Sequence, residues 1–85
     1  MRYVATLYVR VKPEVRDPQG EAVGAALRSL RVDIVAVRFG KEIVVTFDAT
    51  DDAAGRDAVR LMGNELLANP VIEDYVYDLK AATPA

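Results

Sequence analysis

The stretch LLANPVIEDY, residues 66–75, decides how the chain is read: it is either an acidic turn built for chemistry or the place where a helix hands over to a strand. Pro70 has no amide proton to donate and its ring clashes with the preceding turn, so a helix ends before it. Asn69 suits the left-handed or otherwise special backbone found at a helix end. A strand then begins at Val71 and runs to Leu79. On a strand the neighbours Glu73 and Asp74 point to opposite faces and cannot act together on one substrate. The stretch reads as punctuation, not as an acidic dyad.

Working outward from it, the preceding helix has two candidate caps, Thr50 and Asp51, with Asp51 and Asp52 favourably placed at its positive end. Val59, Met62 and Leu66 form its predicted core stripe, with Gly55 and Gly63 on the same side. At about 100° per residue, Leu61 points away from that stripe and suggests a contact outside the monomer. Before this helix lie two short β-rich runs, residues 34–39 and 42–48, predicted to form a hairpin joined at Gly40 and Lys41. Ile43, Val45 and Phe47 share one face of the second run. The first run is short enough to be an irregular edge.

Toward the start of the chain, DPQGEAVGAALRSL opens with an Asp that can accept the first free helix amides and a Pro preset for the first helical position. Val23, Ala26, Leu27 and Leu30 recur at helical spacing, while Gly20 and Gly24 leave the helix dependent on packing. Residues 3–12, YVATLYVRVK, alternate strictly. Tyr3, Ala5, Leu7, Val9 and Val11 form a wholly apolar face, and Val4 and Tyr8 lie among polar residues on the other.

The order strand, helix, strand, strand, helix, strand is the ferredoxin-like βαββαβ pattern, an α+β fold with an antiparallel sheet of three to four strands and two helices on one face. The other face would carry Val4, Tyr8, Val44 and Val76, too apolar for a surface that meets only water. A second copy of the subunit is expected to cover it. Residues 1–80 form one domain, and residues 81–85 are expected to be a frayed tail.

Composition narrows the function. The 85 residues are 52% apolar and 28% charged, as in a folded globular chain. A domain this short buries only about 60–65% of the surface its unfolded chain exposes, which makes an oligomer a reasonable expectation. A net charge of −2 gives no drive toward a polyphosphate backbone. No apolar run suggests a membrane span, and MRYVATLYVRV lacks the continuous apolar stretch of a signal peptide, so the chain reads as cytoplasmic. With no Cys and no His there is no thiolate or imidazole for nucleophilic, base or metal chemistry.

The remaining candidates are weak as chemistry. Arg38, Gly40 and Lys41 in VRFGK could form a small anion site, but neither a P-loop nor a dinucleotide fingerprint is present, and the two cations can equally meet acidic groups on a partner protein. A cap explains Asp17 and Pro18 without a ligand. Tyr75 and Tyr77 share a strand face where aromatic burial is the simpler role. Nothing assembles a nucleophile, a base and an oxyanion donor, so no catalytic, cofactor-binding or metal residue is assigned.

Three segments together, DPQG at residues 17–20, VRFGK at 37–41 and LLANPVIEDY at 66–75, closely resemble the PurS family, the small subunits of the phosphoribosylformylglycinamidine synthase complex of purine biosynthesis. The likeness covers nearly the whole chain from the first strand to Leu79. Arg16 departs from it where relatives usually have an apolar residue, and so does Gly63 where many have Cys. The resemblance implies a subunit without catalytic residues of its own, which bridges a glutaminase subunit and a larger synthetase subunit and assists ammonia transfer. It implies homodimers, with pairing into tetramers left open, and it assigns ATP and magnesium to the synthetase.

For the partner surface the sequence nominates Arg38 and Lys41, the loop ending at Asp17, and Leu61. An amino-acid-binding regulatory module of the ACT type shares the element order, but its ligand turn is rich in Gly whereas VKPEVRDPQG spends its turn on charge and proline. An RNA-binding module of similar topology would need exposed aromatics on a basic surface.

Overall fold

A computed structural model describes residues 1–82 and contains β1 (Arg2–Val11), α1 (Pro18–Ser29), β2 (Gly40–Asp48), α2 (Asp52–Met62), a π-helical turn (Gly63–Leu67) and β3 (Glu73–Ala81). The sheet is antiparallel with β1 in the centre, in the order β2-β1-β3, so the ferredoxin-like α+β class holds with three strands. Leu7 sits opposite Ile43 on one side and Tyr77 on the other. Alternation along β1 does what its pattern dictates: Tyr3, Ala5, Leu7 and Val9 are all buried. Val59 of α2 meets this face, and Ile43, Val45, Phe47, Leu67, Tyr75, Tyr77 and Leu79 pack around it.

Each helix begins as its capping residue requires. Asp17 accepts the Gly20 N–H at 2.9 Å, and Asp51, not Thr50, accepts the Ala54 N–H at 2.8 Å. The Tyr3 hydroxyl donates to Asp52 Oδ1 at 2.8 Å, tying the first turn of α2 to β1. That bond, with burial and the nearby carboxylates, raises the Tyr3 phenol above its ordinary pKa.

Three expectations about local structure are corrected. Residues 34–39 form no strand, so β2 begins at Gly40 without a hairpin partner. Leu66 is not a core residue: α2 widens at Gly63, where the Ala68 N–H donates to the Gly63 carbonyl at 3.1 Å, five residues back. The wider turn rotates Leu66 outward to 82% exposure and turns Leu67 toward the core instead. Asn69 is not left-handed; the one non-glycine residue with positive φ among the described residues is Arg31, at 65°. Asn69 works through its side chain, accepting the Val71 N–H at 3.1 Å, while its own N–H donates to Glu73 Oε1 at 2.8 Å.

α1 stands apart from the buried cluster, to which it contributes no residue. The radius of gyration, 16.6 Å, exceeds the roughly 12 Å of a compact domain of this length, and the principal extents are 51 × 32 × 14 Å. At the other end of the chain, β3 runs through Ala81, and the Ala82 N–H donates to Arg2 at 2.8 Å. The rest of the expected tail lies outside the described residues.

Candidate partner surface

The loop from Val11 to Asp17 is shaped by one guanidinium and one carboxylate. Arg38 Nη2 donates to the carbonyls of Lys12 at 2.8 Å and Val15 at 2.7 Å, with Val11 at 3.5 Å. Asp17, buried, accepts the Phe39 N–H at 2.7 Å as well as that of Gly20. Donation from Phe39, then from Gly20, holds the Asp17 carboxyl below its ordinary pKa, with Arg38 nearby adding to the effect. The DPQG and VRFGK segments, distant in sequence, are therefore two halves of one latch.

This latch changes the roles open to the nominated residues. Asp17 faces inward and is spent on two backbone amides. Arg38 has an exposed side chain whose guanidinium is committed to backbone carbonyls. Lys41 is exposed and makes a long ion pair with Glu73, 3.8 Å between Nζ and Oε2, with no backbone carbonyl tying it into the latch. Lys41 and Arg38 share the lining of a shallow hollow with Arg10 and Glu42, a mixed-charge surface in which no anion cradle closes.

Leu61 belongs to a different patch. It points away from the sheet at 63% exposure, as its helical angle required. The π-helical turn adds Leu66 to the exposed apolar surface, and the turn beyond Pro70 adds Val71 and Ile72. Sequence reasoning missed Leu66 because it continued the α-helical period through Gly63, and missed Val71 and Ile72 because it began the last strand at Val71, whereas they lie in the turn after Pro70 and β3 starts at Glu73. The signal was present in Gly63 itself: a Cβ there would sit inside the ring of Tyr75, so the backbone must pass the aromatic face closely.

On the outer face of the sheet, Tyr8, Val44 and Val76 are exposed and Val4 is half-buried. Val4 opposes Thr46 and Tyr8 opposes Val76 across the ladders, so the four share one face. A hollow of about 250 Å³ lies between Tyr8, Arg10, Pro13 and Val76. Among the described residues, no group of three acidic, His or Cys side chains could hold a metal ion, and no helix is long and apolar enough to cross a membrane.

The fold and surface define a class: a small ferredoxin-like α+β chain with exposed apolar side chains on α2, on the turn after it and on the outer face of the sheet. Within that class the comparisons are specific. A family model described as PurS: Phosphoribosylformylglycinamidine (FGAM) synthase matches residues 4–81, and the chain belongs to the PurS family. It is 43% identical over 82 residues to the phosphoribosylformylglycinamidine synthase subunit PurS of Bacillus subtilis, covering 92% of this chain and 93% of that one. It is 41% identical over 80 residues to the subunit of the same name from Synechocystis, covering 93% and 80%.

Solved structures agree. Thermus thermophilus PurS superposes with a TM-score of 0.86 at 38% identity, covering 98% of this chain and all of that one. A chain in a structure of PurLQS from Thermotoga maritima superposes with a TM-score of 0.85 at 28% identity, covering 94% and 99%.

Proposed function

We propose that this chain is the non-catalytic PurS-type subunit of FGAM synthase in purine biosynthesis, bridging a glutaminase subunit and an ATP-dependent synthetase subunit. The observation that carries the reading is the pairing of family membership with exposed apolar side chains at Leu61, Leu66 and Val71, while no nucleophile, base and oxyanion donor assemble among the described residues. ATP and magnesium belong to the synthetase partner, and the complex works in the cytoplasm. Lys41 and the exposed Leu61, Leu66 and Val71 are the contacts with the larger subunits. Outer-face residues Val4, Tyr8, Val44 and Val76 are a contact with a second copy.

The physical benefit is placement. Ammonia released from glutamine is small, neutral and quickly diluted, so a synthetase fed by it gains from having the glutaminase held beside it. Binding energy spent on a rigid bridge raises the local ammonia concentration without touching the chemical barrier. Reconstitution tests this directly: adding the chain to the two larger subunits should raise glutamine-dependent FGAM synthesis at least tenfold and leave synthesis from free ammonium nearly unchanged. Equal stimulation of both rates, or of neither, would reject the bridge.

A further inference from the structure

Leu66 and Leu67 compete for one place. At about 100° per residue, an uninterrupted α-helix would carry Leu66 to within about 20° of Val59 and leave Leu67 about 80° away. The π-helical turn does the opposite: Leu67 packs on the cluster of Ala5, Leu7 and Val59, and Leu66 faces out. Both side chains are leucines, so burying either removes the same apolar surface from water, and the hydrophobic effect does not choose between the two registers. Packing around the turn does not choose either. A hollow of about 340 Å³ lies between Gly63, Ala68, Pro70 and Tyr75, and neither leucine lines it.

The choice falls to a clasp carried by the sheet. Tyr75 lies opposite Val9 on the ladder between β1 and β3, so the place of its ring is set by strand register and not by the helix. The ring lies against Gly63, the first residue of the π-helical turn, where no Cβ fits. Its hydroxyl donates to Oδ1 of the next residue, Asn64, at 3.0 Å and stands 3.4 Å from the Arg60 carbonyl. A widened turn moves each amide one acceptor along and leaves a carbonyl of the preceding turn short of a partner. A hydroxyl within reach of Arg60 offsets that loss. The chain is thus gripped from a fixed point on β3 at the step where the two registers part.

We propose that Tyr75 and Asn64 are positioning residues: their clasp holds residues 63–67 in the π register, and that register turns Leu66 toward the larger subunits as a preformed contact. This rests on the contact proposed above for Leu66 and adds the device that presents it. A contact already in place in the free chain binds without the cost of rearranging the helix end. The geometry also offers a bypass. Deleting Glu65 removes the extra residue that the wide turn absorbs. An α-helix one residue shorter then meets the cluster with Leu67, about 20° from Val59, and keeps Leu66 about 120° away without any clasp.

Methyl NMR on the folded chain reads which leucine touches Ala5, Leu7 and Val59. In the parent it should be Leu67. In the double variant Asn64→Ala with Tyr75→Leu it should be Leu66, and titration calorimetry should show about tenfold weaker binding to the synthetase subunit. Deleting Glu65 from that variant should return Leu67 to the cluster and bring the affinity back to within about threefold of the parent, a rescue that lost packing at residue 75 alone would not give. Asn64→Ala by itself changes an exposed side chain and keeps the test open if the double variant does not fold: contacts from Leu66 should appear beside those from Leu67. Leu67 alone on the cluster in these variants would overturn the clasp. Exchanged leucines with binding at parent strength would support the clasp and overturn the part of Leu66 in the partner contact.

Discussion

The carboxylate of Asp17 accepts the backbone N–H of Phe39 at 2.7 Å across 22 positions of sequence, so the cap of α1 also fixes the entry of the chain into β2. Because Asn presents only one accepting oxygen, Asp17→Asn should keep the Gly20 bond and lose the Phe39 bond. We expect its Tm to fall by about 5 °C, and that of Asp17→Ala by more, measured by calorimetry at pH 7.

The same residue gives the fold an acid-sensitive element. Its folded pKa lies below the unfolded value of about 3.9, so its stabilisation is fully present well above that value and is lost as pH falls through the folded pKa. Urea midpoints measured from pH 6 down to pH 2.5 should therefore converge for the parent and Asp17→Asn as acid removes the difference. Curves that stay parallel to pH 2.5 would show that the bond to Phe39 does not depend on ionisation.

Gly63→Ala sets two effects against each other. Helix propensity favours Ala by up to about 1 kcal/mol, but the new methyl must displace the Tyr75 ring, an overpacking that costs about 1–3 kcal/mol. The second should win, lowering the urea midpoint. Tyr75→Phe keeps the ring and removes the hydroxyl that donates to Asn64 Oδ1 at 3.0 Å, so it should cost only about 1 kcal/mol. Combining Gly63→Ala with Tyr75→Leu should cost less than the sum of the single changes, and strict additivity would refute the contact.

Arg38 and Lys41, alike in the sequence, should behave differently. Arg38→Lys gives up the paired donation to Lys12 and Val15 and should destabilise the fold by about 1 kcal/mol, discounted for its exposure. Lys41→Glu should leave stability within about 0.5 kcal/mol and weaken capture of the larger subunits. A Lys41→Glu chain that assembles at parent affinity removes Lys41 from the interface.

Leu61→Asp and Leu66→Asp change side chains that already face solvent, so their unfolding curves should match the parent within about 0.5 kcal/mol. Titration calorimetry with the synthetase subunit should show at least tenfold weaker binding for each. Loss at Leu61 alone would confine the contact to α2, and loss at neither would move it off this patch.

Much of this architecture was legible in the chain because local rules and tertiary demands agreed. Along residues 3–11 the strict alternation matches the buried face, and Asp17 and Asp51 cap as their chemistry requires. Legibility failed where a tertiary contact altered the local period. Leu66 fits an α-helical stripe, but Tyr75 pressing on Gly63 accompanies a π-helical turn that reverses it. Residues 34–39 have strand-forming composition, yet within one chain they find α1 beside them instead of a ladder. For the surface, Leu61 was readable from its angle alone. Arg38 was not, since nothing local announces that its guanidinium closes a loop more than twenty residues upstream.

The bare rim of β2 also bears on how the polypeptide must be made. Five successive uncharged side chains on an open ladder are a template for fibrillar stacking, so a cell that translates this chain faster than its cover becomes available risks ordered deposits. Matched synthesis of the subunits would then be a requirement of solubility as well as of economy. A gatekeeper such as Thr46→Lys should keep an overproduced sample clear.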